Sequence, residues 1–216
     1  MPAITWEVFA SRGFETVWFE LGEGALRARG RAVGTDPEPY WITYELDTAD
    51  GFVTPRLRVT AETAGDVRTL DLRHDGHGRW TADGEPLPDV DGALDCDLGL
   101  CPLTNTMPVL RHGLHRAPGE REFLMAWVSV PDLTVRPSRQ TYTHLGTGRV
   151  RYASGDFRSD LEFDEEGFVV DYPRPAVRLT ARQRSVTLPS ATSRRRVTWT
   201  ASSMRRSWVT SRRVPS

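Results

Sequence analysis

Alternation with a period of two is the feature that most constrains this chain. Between Ala25 and Val33, Arg27, Arg29 and Arg31 alternate with Leu26, Ala28, Gly30 and Ala32. Between Tyr40 and Asp47, one face carries Tyr40, Ile42, Tyr44 and Leu46, and the other Trp41, Thr43, Glu45 and Asp47. Between Arg56 and Glu62, Leu57, Val59 and Ala61 alternate with charged or polar residues. Successive side chains of a strand point to opposite faces, so each run predicts a half-buried antiparallel strand.

Turn signals punctuate these runs. Thr35–Pro39, Ala49–Gly51, Ala64–Asp66, His74–Gly78 and Asp83–Pro88 are rich in Gly, Pro and Asp, the residues that supply turn geometry. They predict further strands near Val67–Arg73 and Arg79–Ala82. Phe123–Val130 is apolar on both faces and predicts a buried central strand, a short buried helix being the alternative. Tyr142, Val150, Tyr152, Phe157, Leu161 and Phe163 continue the pattern, Asp164–Gly167 predicts a hairpin turn into Phe168–Tyr172, and Val177–Leu179 predicts a last edge strand. A weak helix signal occupies the first twenty residues. About ten strands at this spacing predict an all-β, mainly antiparallel protein, its sheet curled into a roll or half-barrel with little helix.

Composition changes at about residue 183, giving expected boundaries of 1–182 for the folded domain and 183–216 for a tail. The tail holds eight arginines and no acid; the preceding residues hold the other 20 arginines and all 29 acidic residues. An acidic body argues against nucleic acid as its ligand. For the tail, three alternatives stay open: a disordered extension, a basic tryptophan-bearing arm for anionic lipid or nucleic acid, or a segment translated out of its ancestral frame. Glu7 and Glu15 interrupt the N-terminus, which does not read as a secretory signal, and no apolar run approaches the roughly 20 residues of a spanning helix. The expectation is a soluble, cytoplasmic protein whose Cys96 and Cys101 are reduced thiols.

One stretch stands apart from the alternation: Asp95–Arg111, DCDLGLCPLTNTMPVLR. Two prolines six apart rule out a long helix, and Thr104, Asn105 and Thr106 have short side chains that hydrogen-bond nearby backbone. A strand running into an ordered, polar, proline-bracketed loop is expected. Asp95 and Asp97, two apart, share a face of that strand, at a spacing compatible with the about 5 to 10 Å a glycosidase needs between its carboxylates. A hydrolase acting through this pair on a sugar or lipid ester is one hypothesis; a structural or partner-binding β-domain is another. His74, His77, Cys96 and Cys101 lack zinc-like spacing, so no metal is expected. There is no G-x-S-x-G elbow and no phosphate loop, so no catalytic residue and no cofactor is assigned.

The preferred hypothesis is non-catalytic binding of an amphiphile in the concave face of the sheet. Trp41, Tyr44, Trp127 and Tyr142 would offer apolar or stacking contact, and Asn105, Arg111 and Gln140 hydrogen bonds.

The same stretch resembles the signature of the putative glycolipid-binding family of bacterial proteins, an acidic D-x-D-L followed by P-[FL]-T-N-T-[LM]-P-[IV]. It falls here on Asp95, Asp97, Leu98 and Pro102–Val109. Gln140 with Tyr142, the early pair Tyr40 and Tyr44, and the pattern through Phe157, Leu161, Asp164, Gly167, Val169, Asp171, Tyr172 and Pro173 also match, so the resemblance spans residues 4–180. It implies a spiral β-roll or half-barrel, similar to bacterial lipoprotein carriers, and a glycolipid or other amphiphile as ligand. It implies no catalytic residues. The family's usual arginine pair after P-[IV] is here Leu110 and Arg111.

Overall fold

The computed structural model describes residues 1–179; the segment 183–216 lies outside them. The described residues form one sheet of fifteen strands. In chain order these are β1 (Ala3–Val8), β2 (Gly13–Gly22), β3 (Ala25–Gly34), β4 (Tyr40–Ala49), β5 (Val53–Thr63), β6 (Val67–His74), β7 (Trp80–Ala82), β8 (Glu85–Pro86) and β9 (Asp95–Leu98). A short 3-10 turn (Pro102–Asn105) and helix α1 (Thr106–His112) follow. Then come β10 (Glu120–Val128), β11 (Val135–Gly146), β12 (Arg149–Ser154), β13 (Phe157–Phe163), β14 (Val169–Tyr172) and β15 (Ala176–Arg178).

The order across the sheet is β8 through β1, then β15 back through β9. Two meanders therefore meet where the first strand pairs with the last, Trp6 opposite Arg178 and Val8 opposite Ala176. The sheet curls without closing into a barrel. The curl is visible in a cross-link: the Thr54 amide of β5 donates to the Leu94 carbonyl beside edge strand β9, at 3.0 Å.

The alternating runs behave as their pattern dictates. Leu26, Ala28, Ala32, Tyr40, Ile42, Tyr44, Leu46, Leu57, Val59 and Ala61 are all buried, while Arg27, Arg29 and Arg31 are exposed. Four expectations are corrected. The first twenty residues form β1, a 3-10 turn and β2 rather than a helix, because Val17 and Phe19 alternate into the core at strand period. The Phe123–Val130 strand is next to the sheet edge, not central. Both of its faces are nonetheless covered, Met125 and Ala126 being fully buried. The last strand is interior, because β1 and β14 flank it. Finally, the proline-bracketed loop is largely helical. Strands β9 and β10 are parallel, and a parallel pair needs a long crossover, usually with a helix. Here the crossover is the 3-10 turn plus the seven residues of α1. Pro102 opens the 3-10 turn and Pro108 falls in the first turn of α1, where a missing N–H costs nothing.

The crossover is core rather than covering. Leu103, Thr104, Thr106, Met107 and Val109 are all fully buried. It meets the first meander at Glu15, a fully buried carboxyl on β2. Glu15 accepts a short hydrogen bond from the Tyr44 hydroxyl and one from the Leu103 amide at 3.4 Å. Tyr44 lies on β4, two strands from β2, and its ring must pass over β3 to reach. Gly30 on β3 leaves the space: a Cβ there would meet the Tyr44 ring at 2.1 Å. Ring and glycine are register partners, an arrangement in which an aromatic covers a glycine across a strand pair.

Gly30→Ala is therefore expected to cost about 2–3 kcal/mol through overpacking, measured by urea unfolding. Gly22→Ala, where the nearest atom is 3.9 Å from the new Cβ, serves as a near-neutral control. Burial raises the Glu15 carboxyl to about 7 against the opposing hydrogen bonds from Tyr44 and Leu103. The folded state thus binds this proton more tightly than the unfolded chain. Its stabilising contribution is complete below the ordinary carboxyl pKa and is lost as pH rises through about 7. Relative to Glu15→Gln, the wild type should lose about 3 kcal/mol of stability between pH 4.5 and 7.5, read from unfolding midpoints across that range. A parallel pH dependence in the two proteins would refute this.

Candidate functional site

The seven residues predicted to line one groove divide into two groups. Asn105, Trp127, Gln140 and Tyr142 converge near Asp97, whereas Trp41, Tyr44 and Arg111 point elsewhere. Trp41 is 65% exposed on the outer face of β4, beside Val33 of β3, whose own partner is Phe14 of β2. Tyr44 faces inward to Glu15. An odd and an even position on one strand cannot share a face, so these two rings do not line one groove. Arg111 is consumed internally. Its guanidinium is bidentate on Asp95 at 2.5 and 2.7 Å and donates to the carbonyls of Gly51 and Phe52 at 2.8 and 2.7 Å.

The two carboxylates of the D-x-D motif therefore have different partners. Burial raises the Asp95 carboxyl, and Arg111 opposes that push. Asp97 is held by two side chains: the Thr104 hydroxyl at 2.8 Å from one oxygen and Gln140 Nε2 at 2.6 Å from the other. The Tyr142 hydroxyl lies 3.2 Å from Gln140 Oε1 and 3.0 Å from Asn105 Oδ1. The motif threonine and asparagine also do what turn residues do. Thr104 reaches the Cys101 carbonyl at 3.0 Å, and Asn105 Nδ2 donates to the Pro102 carbonyl at 3.3 Å. Gln140 and Asn105 are thus part of a connected interior network, not a solvated rim.

This network opens on a cavity of about 460 Å³. Asp97 and Asn105 supply its polar side, with Cys101 and Pro102 from the start of the crossover. Trp127, Tyr152, Phe157 and Tyr172 supply rings, and Val8, Leu98, Leu100 and Ala176 aliphatic surface. Gly99 brings the backbone close to β10: its amide donates to the Val128 carbonyl at 2.8 Å, and a Cβ there would lie 3.0 Å from that oxygen. The rings continue outward as an edge-to-face series, Tyr142 to Tyr152 at 5.3 Å and Tyr152 to Phe157 and Tyr172 at 5.9 and 6.0 Å. Burial is the main cause of a raised Asp97 carboxyl.

Phe157 and Tyr172 belong to the family signature and Tyr152 to the alternating pattern, but Val8 and Ala176 carry no signal of a site. Their contribution depends on the β1–β15 pairing, which no local pattern announces. Among the described residues, no group of His, Cys, Asp and Glu is arranged to hold a metal ion, and no helix is long and apolar enough to cross a membrane.

A family model described as "Putative glycolipid-binding" matches residues 3–178. The fold is similar to the crystal structure of a DUF1089 family protein from Pseudomonas aeruginosa, with 32% sequence identity and a TM-score of 0.67. That similarity covers 76% of this chain and 92% of the other. No curated protein matches the chain.

Removing Arg111 leaves a buried carboxylate without its counter-charge, so Arg111→Leu should destabilise the protein by about 3–5 kcal/mol. Adding Asp95→Asn to that variant should recover part of the loss. Chemical denaturation of the two variants checks both statements.

Proposed function

The chain belongs to the family described as "Putative glycolipid-binding", and on that premise we propose that the Asp97–Asn105 cavity is where it holds an amphiphile with a sugar part. One observation carries this assignment: a carboxylate, a carboxamide and four aromatic rings share a single cavity of about 460 Å³, within the size range of small-molecule sites. Rings stack on the apolar faces of a sugar, while Asp97 and Asn105 supply planar hydrogen-bonding groups at its edge. The aliphatic side, with Val8, Leu98 and Ala176, suits the start of an acyl chain. The internal network from Thr104, Gln140 and Tyr142 fixes both polar groups before any ligand arrives, which limits the ordering cost of binding.

The raised carboxyl of Asp97 favours one alternative, hydrolysis of a sugar or lipid ester, since catalytic acids are often tuned in this way. That chemistry needs a second group. Asp95 is bound to Arg111, and among the described residues the cavity lining has no other carboxylate and no histidine. Cys101 lines the cavity, but burial holds its thiol well above the ordinary value, which makes it a poor nucleophile. Binding without turnover is the better account of this lining.

Protein purified from its native host, extracted and analysed by mass spectrometry, should release a bound amphiphile. Trp127→Ala should carry about tenfold less of it, the effect of losing one stacking ring. Trp41→Ala, on the exposed face, should carry the wild-type amount. Equal retention by both variants would move the site away from this cavity.

A further inference from the structure

Resting on that reading of the cavity, we infer that the ligand's headgroup donates hydrogen bonds and carries no negative charge. Among the described residues, the lining contains one carboxyl side chain, Asp97, and no arginine or histidine. Arg111 is the cation that the sequence sets beside the motif, and its guanidinium is turned to Asp95 and two backbone carbonyls. A phosphate, sulfate or carboxylate in this cavity would meet the Asp97 carboxyl with no cation among the described lining residues, and wherever Asp97 is ionised like charges in a half-buried site repel with little screening.

What Asp97 offers is acceptance. Each of its oxygens receives one internal hydrogen bond, from Thr104 and from Gln140, and a carboxylate has room for about four. The remaining positions suit hydroxyl or ammonium donors. Asn105 uses one of its two amide hydrogens on Pro102 and keeps the other for a ligand oxygen. A sugar hydroxyl pair can donate to the first and accept from the second. Trp127 and Tyr152 beside them exclude water and give a pyranose ring a face to lie on.

The test uses three amphiphiles with the same chain, each kept below its micelle concentration: decyl glucoside, decyltrimethylammonium and decyl phosphate. Titration calorimetry at neutral pH on the full chain should give decyl glucoside at least about tenfold tighter binding than either of the others. The trimethylammonium probe separates donation from charge, because it is cationic and has no N–H. Decylamine as a fourth probe separates the two sources of donors, hydroxyl and ammonium, and tight binding of either supports the inference. Asp97→Asn should narrow the glucoside-to-phosphate ratio to below about threefold. Decyl phosphate binding as tightly as the glucoside overturns the inference but leaves an amphiphile site in place. Tight trimethylammonium binding also overturns it, because charge alone would then suffice. If no probe binds, both the inference and the functional reading fail. Should Asp97→Asn not fold, the wild-type ratios still decide the matter.

Discussion

Arg111 fastens three distant pieces of chain at one point. Its guanidinium joins edge strand β9 through Asp95 to the β4–β5 turn through the carbonyls of Gly51 and Phe52, and its own backbone belongs to α1. A planar fork of donors suits this geometry, and a lysine could not make all four contacts at once. The curl of the sheet brings its two halves near each other, but strand pairing alone does not lock them. The crossover between β9 and β10 does so, with Arg111 at one end and the Glu15–Tyr44–Leu103 contact at the other. The cavity sits where that crossover begins, so its floor is set by the same fastening.

Much of this was legible in the sequence, and the physical reason is plain. Period-two alternation reports which face of a strand is buried, and it did so correctly for β3, β4 and β5. It also placed Trp41 and Tyr44 on opposite faces, so assigning both to one groove went against the pattern itself. The family signature was legible too, and the match over residues 3–178 agrees with it. The sequence was least informative where structure depends on pairing across long separations. The meeting of β1 with β15 turns an expected edge strand into an interior one, and the parallel β9–β10 pair turns an expected loop into a helical crossover. Prolines at 102 and 108 look like loop markers until one sees that each occupies an early helical position.

The motif's polar residues illustrate how structure and site can be the same thing. The single Thr104 hydroxyl sits between Asp97 at 2.8 Å and the Cys101 carbonyl of its own turn at 3.0 Å. Asn105 braces Pro102, accepts from Tyr142 and lines the cavity. These groups satisfy one another internally, whereas the buried Thr106 hydroxyl has no partner among the described residues. On the proposed reading, folding the crossover and shaping the site are one requirement on the sequence, which accounts for so many unusual residues lying within a short stretch.

The central claim is one of location, and a crystal structure of the full chain with decyl glucoside tests it most directly. The account predicts the sugar against Trp127, with a hydroxyl within hydrogen-bond distance of Asp97 and the Asn105 amide on a ring or hydroxyl oxygen. A sugar found on the outer face beside Trp41 and Phe14, with the Asp97 cavity free of ligand, would contradict it.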